Sequence, residues 1–146
     1  MKIATTLAAC ALVAAGCASM NDTATHRVDA APHADRIVVQ VSDNDPAKWN
    51  LTLNNARNVQ TDLGEKNVEI EIVAYGPGLN MLKTGSPVAQ RIDESVMRGM
   101  KIVACENTMK AQKVTRDQIL PGVDYVPAGV VEIMRKQQEG WAYLRP

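Results

Sequence analysis

Apolar residues along the chain follow two patterns, short β-branched runs and longer stretches with helical spacing. The runs at 36–42 (RIVVQVS), 67–76 (NVEIEIVAYG) and 101–105 (KIVAC) are typical of strands, and shorter runs at 123–127 and 141–146 predict two more. Between these runs, apolar residues recur every three or four positions, which indicates helices. Strands that alternate with helices predict an α/β fold, with a five-stranded parallel sheet and helices on both of its faces.

The helix after the first strand has the clearest boundaries. Asp45 is a typical N-cap, Pro46 suits the first turn, and Gly64 is placed to end the helix. Its inward face is predicted to consist of Trp49, Leu53, Ala56, Val59 and Leu63.

The later helices are predicted from shorter patterns. The segment ENTMKAQK (106–113) predicts a short helix capped by Asn107, and Thr115 and Gln118 form a capping box for another. The inward residues of the helices at 86–98 and 128–139 are predicted to be Val88, Ile92 and Val96, and Val130, Val131 and Met134. We also expect four methionines to fill the core: Met97, Met100, Met109 and Met134.

Two acidic residues interrupt the second strand. Glu69 and Glu71 alternate with Val68, Ile70 and Ile72, which places both carboxylates on the same face. The alternation predicts that this face is open to solvent or lies near an edge of the sheet.

The first 17 residues predict an export signal rather than part of the fold. Lys2 precedes an apolar stretch at 3–16 that is too short to span a bilayer comfortably. The sequence VAAGC, ending at Cys17, resembles a bacterial lipobox, in which the cysteine becomes the lipidated first residue. LAAC at Cys10 has a similar pattern, but it leaves only about seven apolar residues before it. The alternative is ordinary cleavage near Ala18, which would release a soluble periplasmic protein.

Residues 18–35 predict a flexible tether between this signal and a single domain at 36–146. The segment has no periodicity and is rich in Ala, Thr, Asp and Asn. It contains His26 and His33, but no further ligand lies near them, so we expect no metal site. A lipid anchor at Cys17 would hold the domain on the periplasmic side of the outer membrane.

Composition excludes several functions. The formal net charge is zero, which gives a nucleic-acid partner no electrostatic support. No histidine follows His33, so the domain lacks a Ser-His-Asp set and the usual base of a cysteine protease. The GPG at 76–78 lacks dinucleotide-binding spacing, and we expect no cofactor.

Polar residues, glycines and a cysteine follow the first three strands. In a parallel sheet, the carboxyl ends of the strands form one edge, where ligands commonly bind. We expect the ends of the first three strands to meet there, and predict a site with Cys105 as the reacting group and Asn44, Gly76, Gly78, Asn107 and Thr108 as binding residues.

Cys105 lies immediately before a predicted helix. Backbone N–H groups at a helix start stabilise a thiolate, and Lys110 and Lys113 are expected to add positive potential. Glu106 would oppose them. The alternative is a small buried residue that only closes the strand.

The segments VSDNDPAKWNLTLNNARNVQ, VEIEIVAYGPG, IVACENTM and VPAGVVEIMRKQQEGWAYLRP resemble an exported subgroup of the DsrE/DsrF-like family. The resemblance covers about residues 36–146. It implies a three-layer α/β/α fold and homo- or hetero-oligomers, commonly trimers or hexamers. In sulfur-relay members, a cysteine at the position of Cys105 receives sulfur as a persulfide, although many relatives lack it.

Three functions are compatible with this pattern. The first is a periplasmic sulfur carrier that uses Cys105 between a donor and an acceptor protein, neither of which the sequence names. Relay members of the family work in the cytoplasm, whereas this chain has a predicted export signal. The second is a non-catalytic oligomeric binding module. The third is a thiol redox partner that pairs with a cysteine of another protein.

Overall fold

The computed structural model describes residues 35–146 of the chain. The predicted signal peptide (1–17), with the proposed lipidation residue Cys17, lies outside the described residues. So does the predicted tether (18–35), except for its last residue. Within the described part, no helix is long and apolar enough to cross a membrane.

Five parallel strands form one sheet, in the order β4-β3-β2-β1-β5. The strands are β1 (Asp35–Val41), β2 (Val68–Ala74), β3 (Lys101–Cys105), β4 (Asp124–Val126) and β5 (Ala142–Leu144). The helices are α1 (Pro46–Leu63), α2 (Ala89–Met97), α3 (Glu106–Gln112) and α4 (Gly129–Gln138), with 3₁₀ turns at Gly76–Leu82 and Arg116–Gln118. The predicted α/β class and five-stranded parallel sheet are confirmed.

The boundaries of α1 follow the predicted signals. The Asp45 carboxylate accepts a hydrogen bond from the N–H of Ala47 at 2.8 Å, and Gly64 adopts a positive φ of 90° just after the helix. Trp49 is buried, and its indole N–H donates to the carbonyl of Asp43 at 2.8 Å. Leu63 is exposed, so its predicted place on the inward face of α1 is wrong.

The two faces of the sheet are covered unequally. Helices α1, α2 and α3 and the first 3₁₀ turn pack on one face and form the larger core. On the opposite face α4 packs over a smaller cluster, which consists of Val38, Val73, Val103, Val126, Ile133 and Trp141. This face also holds the cysteine, because Cys105 follows Val103 at a spacing of two along β3.

The predicted inward face of α4 is wrong for Val130 and Met134, whereas Val131 is half-buried. Val130 and Met134 are 56% and 47% exposed, whereas Gly129 and Ile133 are buried. The inward side of the helix begins at Gly129, one residue before Val130, the first residue of the predicted apolar pattern. Met97, at the end of α2, is also exposed, although Met100 and Met109 are buried as predicted.

Glu71 is completely buried, which contradicts the predicted solvent-exposed face. Its strand, β2, is the central strand of the sheet, and α4 covers the side to which Glu71 points. The ammonium groups of Lys101 and Lys136 lie 3.2 and 3.4 Å from the same carboxylate oxygen, Oε2. Periodicity alone did not reveal these two basic partners from other elements.

Helix α3 begins at Glu106, directly after Cys105, and no side chain caps it. The predicted cap at Asn107 is therefore wrong, because this residue already lies in the first turn. The capping box of Thr115 and Gln118 is confirmed, but it begins a single 3₁₀ turn rather than a longer helix.

Candidate functional site

Cys105 lies at the carboxyl end of β3 and is covered by the start of α4. The N–H of Gly129, the first residue of α4, donates to the Sγ atom of Cys105 at 3.2 Å. Cys105 is 5% exposed and is free of any disulfide. The thiol is therefore enclosed between two helix starts, those of α3 and α4.

Further polar groups near the thiol come from the first turn of α3. The hydroxyl and N–H of Thr108 and the N–H of Asn107 contribute to its lowered pKa, although the N–H of Asn107 donates its hydrogen bond to the carbonyl of Pro127 at 3.1 Å. The Thr108 hydroxyl oxygen accepts a hydrogen bond from the N–H of Gly76 at 2.9 Å, which leaves the hydroxyl hydrogen to donate to sulfur. The loop at Gly76 thus holds the Thr108 side chain at the start of α3, where its hydroxyl lowers the pKa of the thiol.

The pKa of the Cys105 thiol is lowered from its ordinary value. Burial raises the pKa, but the hydrogen bonds from the Thr108 hydroxyl and from the amides of Gly129, Thr108 and Asn107 together outweigh this effect. A lower pKa gives a larger fraction of thiolate at neutral pH, and the thiolate is the nucleophilic form.

Hydrogen bonds from uncharged groups, rather than nearby charges, cause this shift. Lys110 and Lys113, which were expected to add positive potential, are both exposed and are not among the causes. Glu106, which was expected to oppose ionisation, forms an ion pair with Arg116 at 2.7 Å.

Gly129 allows α4 to approach the thiol closely. A Cβ at this position would lie 3.1 Å from Cβ of Tyr75, 3.2 Å from Cγ1 of Val73 and 3.3 Å from Cβ of Cys105. Any other residue would have to displace its neighbours, so glycine is suited to this contact. Gly129 was not predicted as a site residue. The carboxyl ends of parallel strands form one ligand-binding edge, and the fourth strand also ends there, followed by Pro127, Ala128 and Gly129.

The structure brings four of the predicted site residues together. Gly76, Asn107 and Thr108 surround the sulfur of Cys105 or support its donors. The carbonyl of Gly76 also accepts a hydrogen bond from the side chain of Gln112 at 2.9 Å, which holds this loop against α3.

The other two predicted binding residues lie toward β1. The N–H of Gly78 donates to the carbonyl of Ser42 at 3.2 Å, and a Cβ on Gly78 would lie 2.3 Å from the carbonyl oxygen of Val41. Gly78 therefore packs the 3₁₀ turn against the end of β1. Asn44 is exposed in the loop between β1 and α1. Neither residue is among the groups that hydrogen-bond to the thiol.

No group of three or more His, Cys, Asp or Glu side chains in residues 35–146 could hold a metal ion.

The structure defines an α/β protein with one hydrogen-bonded thiol at the carboxyl edge of a parallel sheet. The chain belongs to the DsrE/DsrF-like family, whose model matches residues 35–146. Membership links it to sulfur relay.

Solved structures agree with this assignment. The chain is 39% identical to a protein of unknown function, MTH1491 from Methanobacterium thermoautotrophicum, with a TM-score of 0.74, over 77% of this chain and 99% of that one. The BT1422 protein from Bacteroides thetaiotaomicron (17% identity, TM-score 0.64, 81% and 100% coverage) and the ychN protein from E. coli (12%, 0.60, 77% and 99%) share the fold. No curated protein matches the chain.

Proposed function

We propose that this protein is a sulfur carrier that holds sulfane sulfur as a persulfide on Cys105. The observation that carries the proposal is the hydrogen bond from the N–H of Gly129 to Sγ of Cys105 at 3.2 Å, at a thiol placed between two helix starts. The lowered pKa of Cys105 agrees with it. Membership in a family linked to sulfur relay supports it. The same N–H and O–H groups are suited to stabilise the negative charge of a persulfide.

The transfer consists of two nucleophilic steps. In the first, the Cys105 thiolate attacks the outer sulfur of a donor such as thiosulfate. A sulfur–sulfur bond forms to Cys105 while the one in thiosulfate breaks, and sulfite leaves with the electron pair. In the second, the thiolate of an acceptor attacks the outer sulfur of the persulfide. The new persulfide is on the acceptor, and Cys105 takes up a proton or remains a thiolate. No external oxidant or reductant is needed.

Mass spectrometry tests this proposal directly. We expect the full chain, after incubation with polysulfide or thiosulfate, to gain the mass of one sulfur atom. Peptide mapping should place that atom on Cys105 rather than on Cys10 or Cys17, and a Cys105→Ser variant should not gain it. Absence of sulfur from Cys105, under conditions in which a small thiol is converted to its persulfide, would exclude the carrier function.

A second candidate is a non-catalytic binding module, which the 5% exposure of Cys105 favours. Under this alternative the thiol only fills space beneath α4. Cys105→Ala would then leave oligomeric state and cellular phenotype unchanged, and the folded protein would not react with alkylating reagents. Transient pairing with a cysteine of another protein, the third hypothesis, predicts a mixed disulfide that can be trapped.

We further propose that the protein acts in the periplasm, anchored through a lipid on Cys17, as the lipobox pattern VAAGC suggests. Fractionation of a bacterial host should find the wild type with the outer membrane. A Cys17→Ala variant should lose the lipid. Recovery of the wild type as a soluble periplasmic protein would instead support cleavage near Ala18.

The family resemblance also supports a homo-oligomer, either a trimer or a hexamer. Light scattering on the purified protein tests this: a mass of three or six chains is expected, and a monomer would contradict it.

A further inference from the structure

Three residues on one side of helix α4 contact groups of the sheet. Gly129, Ile133 and Lys136 are spaced four and three residues apart, so they lie on one side of the helix. Gly129 contacts the thiol, Ile133 packs in the small apolar cluster, and Lys136 reaches the carboxylate of Glu71. Gly129 and Lys136 therefore connect the thiol with a buried charge.

Apolar packing alone gives α4 little to fix its position. Ile133 is the one buried residue of the helix with a large side chain, and Val130 and Met134 face solvent. A helix of ten residues is marginal by itself, so tertiary contacts determine where it lies. The contact between Lys136 and Glu71 is the strongest candidate for such a contact at the carboxyl end of α4.

Several charged groups surround Glu71. Lys101 approaches it from β3, and Lys136 from α4. Lys136 lies in addition 3.8 Å from Glu132 and 4.0 Å from Glu139, and 4.3 Å above the ring centre of Trp141. Neither carboxylate oxygen of Glu71 has a hydrogen-bond partner within residues 35–146, although Oε2 lies within ion-pair distance of both ammonium groups. Lys136 is thus held in one place by charges and by an aromatic ring.

We propose that Glu71 and Lys136 are positioning residues for the thiol: their ion pair fixes α4 on the sheet and so keeps the N–H of Gly129 on Sγ of Cys105. This inference rests on the proposed use of Cys105 as a thiolate. It assigns a role to a buried carboxylate that takes no part in the sulfur transfer itself.

This role differs from a general contribution to stability. Burial raises the pKa of Glu71, Lys101 and Lys136 partly offset the rise, and Glu132 adds to it. For a carboxyl group with a raised pKa, the stability linked to it is present at acidic pH and is lost as the pH rises through the folded-state pKa. A buried ion pair of this kind can fix geometry while adding little net stability.

The pH dependence of Cys105 alkylation tests the inference. Glu71→Gln keeps the shape of the side chain and removes its charge, and Lys136→Met keeps most of the length. In both variants we expect the midpoint of the alkylation profile to move to higher pH. The rate at neutral pH should fall by up to about tenfold, the limit set by loss of one hydrogen bond to the thiolate.

Two control variants separate positioning from other effects. Lys101→Met removes a cation from Glu71 without touching α4, and it should shift the alkylation profile less than Lys136→Met does. Lys136→Arg keeps the charge on α4, and it should retain a profile close to that of the wild type. The free energy of unfolding of Glu71→Gln at neutral pH should be equal to that of the wild type or higher.

A profile that is unchanged in both Glu71→Gln and Lys136→Met would overturn the inference. An equal shift in Lys101→Met would overturn it as well, because the effect would then be one of charge near β3 rather than of helix position. These outcomes are independent of sulfur transfer. A protein that fails to take up sulfur, but shows the predicted shifts, would contradict the proposed function alone.

Discussion

The reactivity of Cys105 depends on a small number of uncharged donors. A hydrogen bond to a charged group contributes more stabilisation than one between neutral groups. Hydrogen bonding to Sγ therefore offsets the cost of burying the thiolate. Because no cation is involved, the thiolate depends on exact placement of the donors and is only weakly sensitive to salt.

Thr108 provides the most direct test at this scale. Thr108→Val removes the hydroxyl that donates to sulfur, together with the acceptor for the N–H of Gly76. A hydrogen bond to a charged group contributes about 1.5 kcal/mol, so we expect the pKa of Cys105 to rise by about one unit. Alkylation as a function of pH measures the change.

Thr108→Ser is the matched control, because it keeps the hydroxyl and loses only a methyl group. Its alkylation profile should stay close to that of the wild type. If Thr108→Val also kept the wild-type profile, the hydroxyl would have no part in stabilising the thiolate.

Single residues could be predicted where the signal is local. Asp45 was identified as a cap because the cap bonds to the N–H of a residue two positions later. The burial of Glu71 could not be predicted, because its partners Lys101 and Lys136 are 30 and 65 positions away in sequence and meet it only in the folded sheet.

Helix α4 is the element that completes the site. Its first residue contacts the thiol, and its place on the sheet brings a backbone N–H, rather than a side chain, to the sulfur. Glycine makes this approach sterically feasible at Gly129, where an added Cβ would meet three neighbouring side chains at 3.1 to 3.3 Å.

Gly129→Ala is expected to move the start of α4 away from Cys105. Neighbouring side chains would have to shift by a few tenths of an ångström, which lengthens the N–H···Sγ contact of 3.2 Å. We expect alkylation at neutral pH to slow by roughly three- to tenfold, as one hydrogen bond weakens. Overpacking costs about 1–3 kcal/mol, and alanine returns about 1 kcal/mol of helix propensity, so the loss of stability should be small.

Val130→Ala is the control for the same helix turn, because Val130 is exposed and makes no contact with the thiol. It should leave the alkylation profile unchanged. Equal rates for Gly129→Ala and the wild type would show that close approach of α4 has no bearing on the thiol.

The positions of the elements were predictable because each carries a periodic apolar pattern and a local end signal. The orientation of α4 was not, because Gly129 contributes no apolar side chain to the pattern and Lys136 is a charged residue on the inward side of the helix. Val130 and Met134, which are more hydrophobic than Gly129 and Lys136, face solvent.

At the scale of the whole molecule, the parallel sheet determines where the site lies. Strands β2, β3 and β4 are neighbours, so the segments that follow them meet at one edge, and Gly76, Thr108 and Gly129 converge on Cys105 there. The expectation that ligands bind at the carboxyl ends of parallel strands placed Cys105 beside Gly76, Asn107 and Thr108, and these residues are neighbours in the structure. It could not separate them from Gly78 and Asn44, because the order of the strands was not known from the sequence.

Family and predicted location point to different settings for the same thiol. The family is linked to sulfur relay, whereas the VAAGC pattern at Cys17 predicts export. The donors around Cys105 belong to residues 76–129 alone, so the chemistry that we propose requires no particular compartment.

The pH dependence of Cys105 alkylation in the intact protein tests the central claim most directly. The reference is the same cysteine in the urea-unfolded chain, with modification followed on the peptide that contains Cys105. We predict a midpoint at lower pH in the folded protein than in the unfolded one, because the N–H of Gly129 and the polar groups of Thr108 and Asn107 lower the pKa of the thiol. A midpoint at equal or higher pH, or no reaction while the protein is folded, would contradict the account.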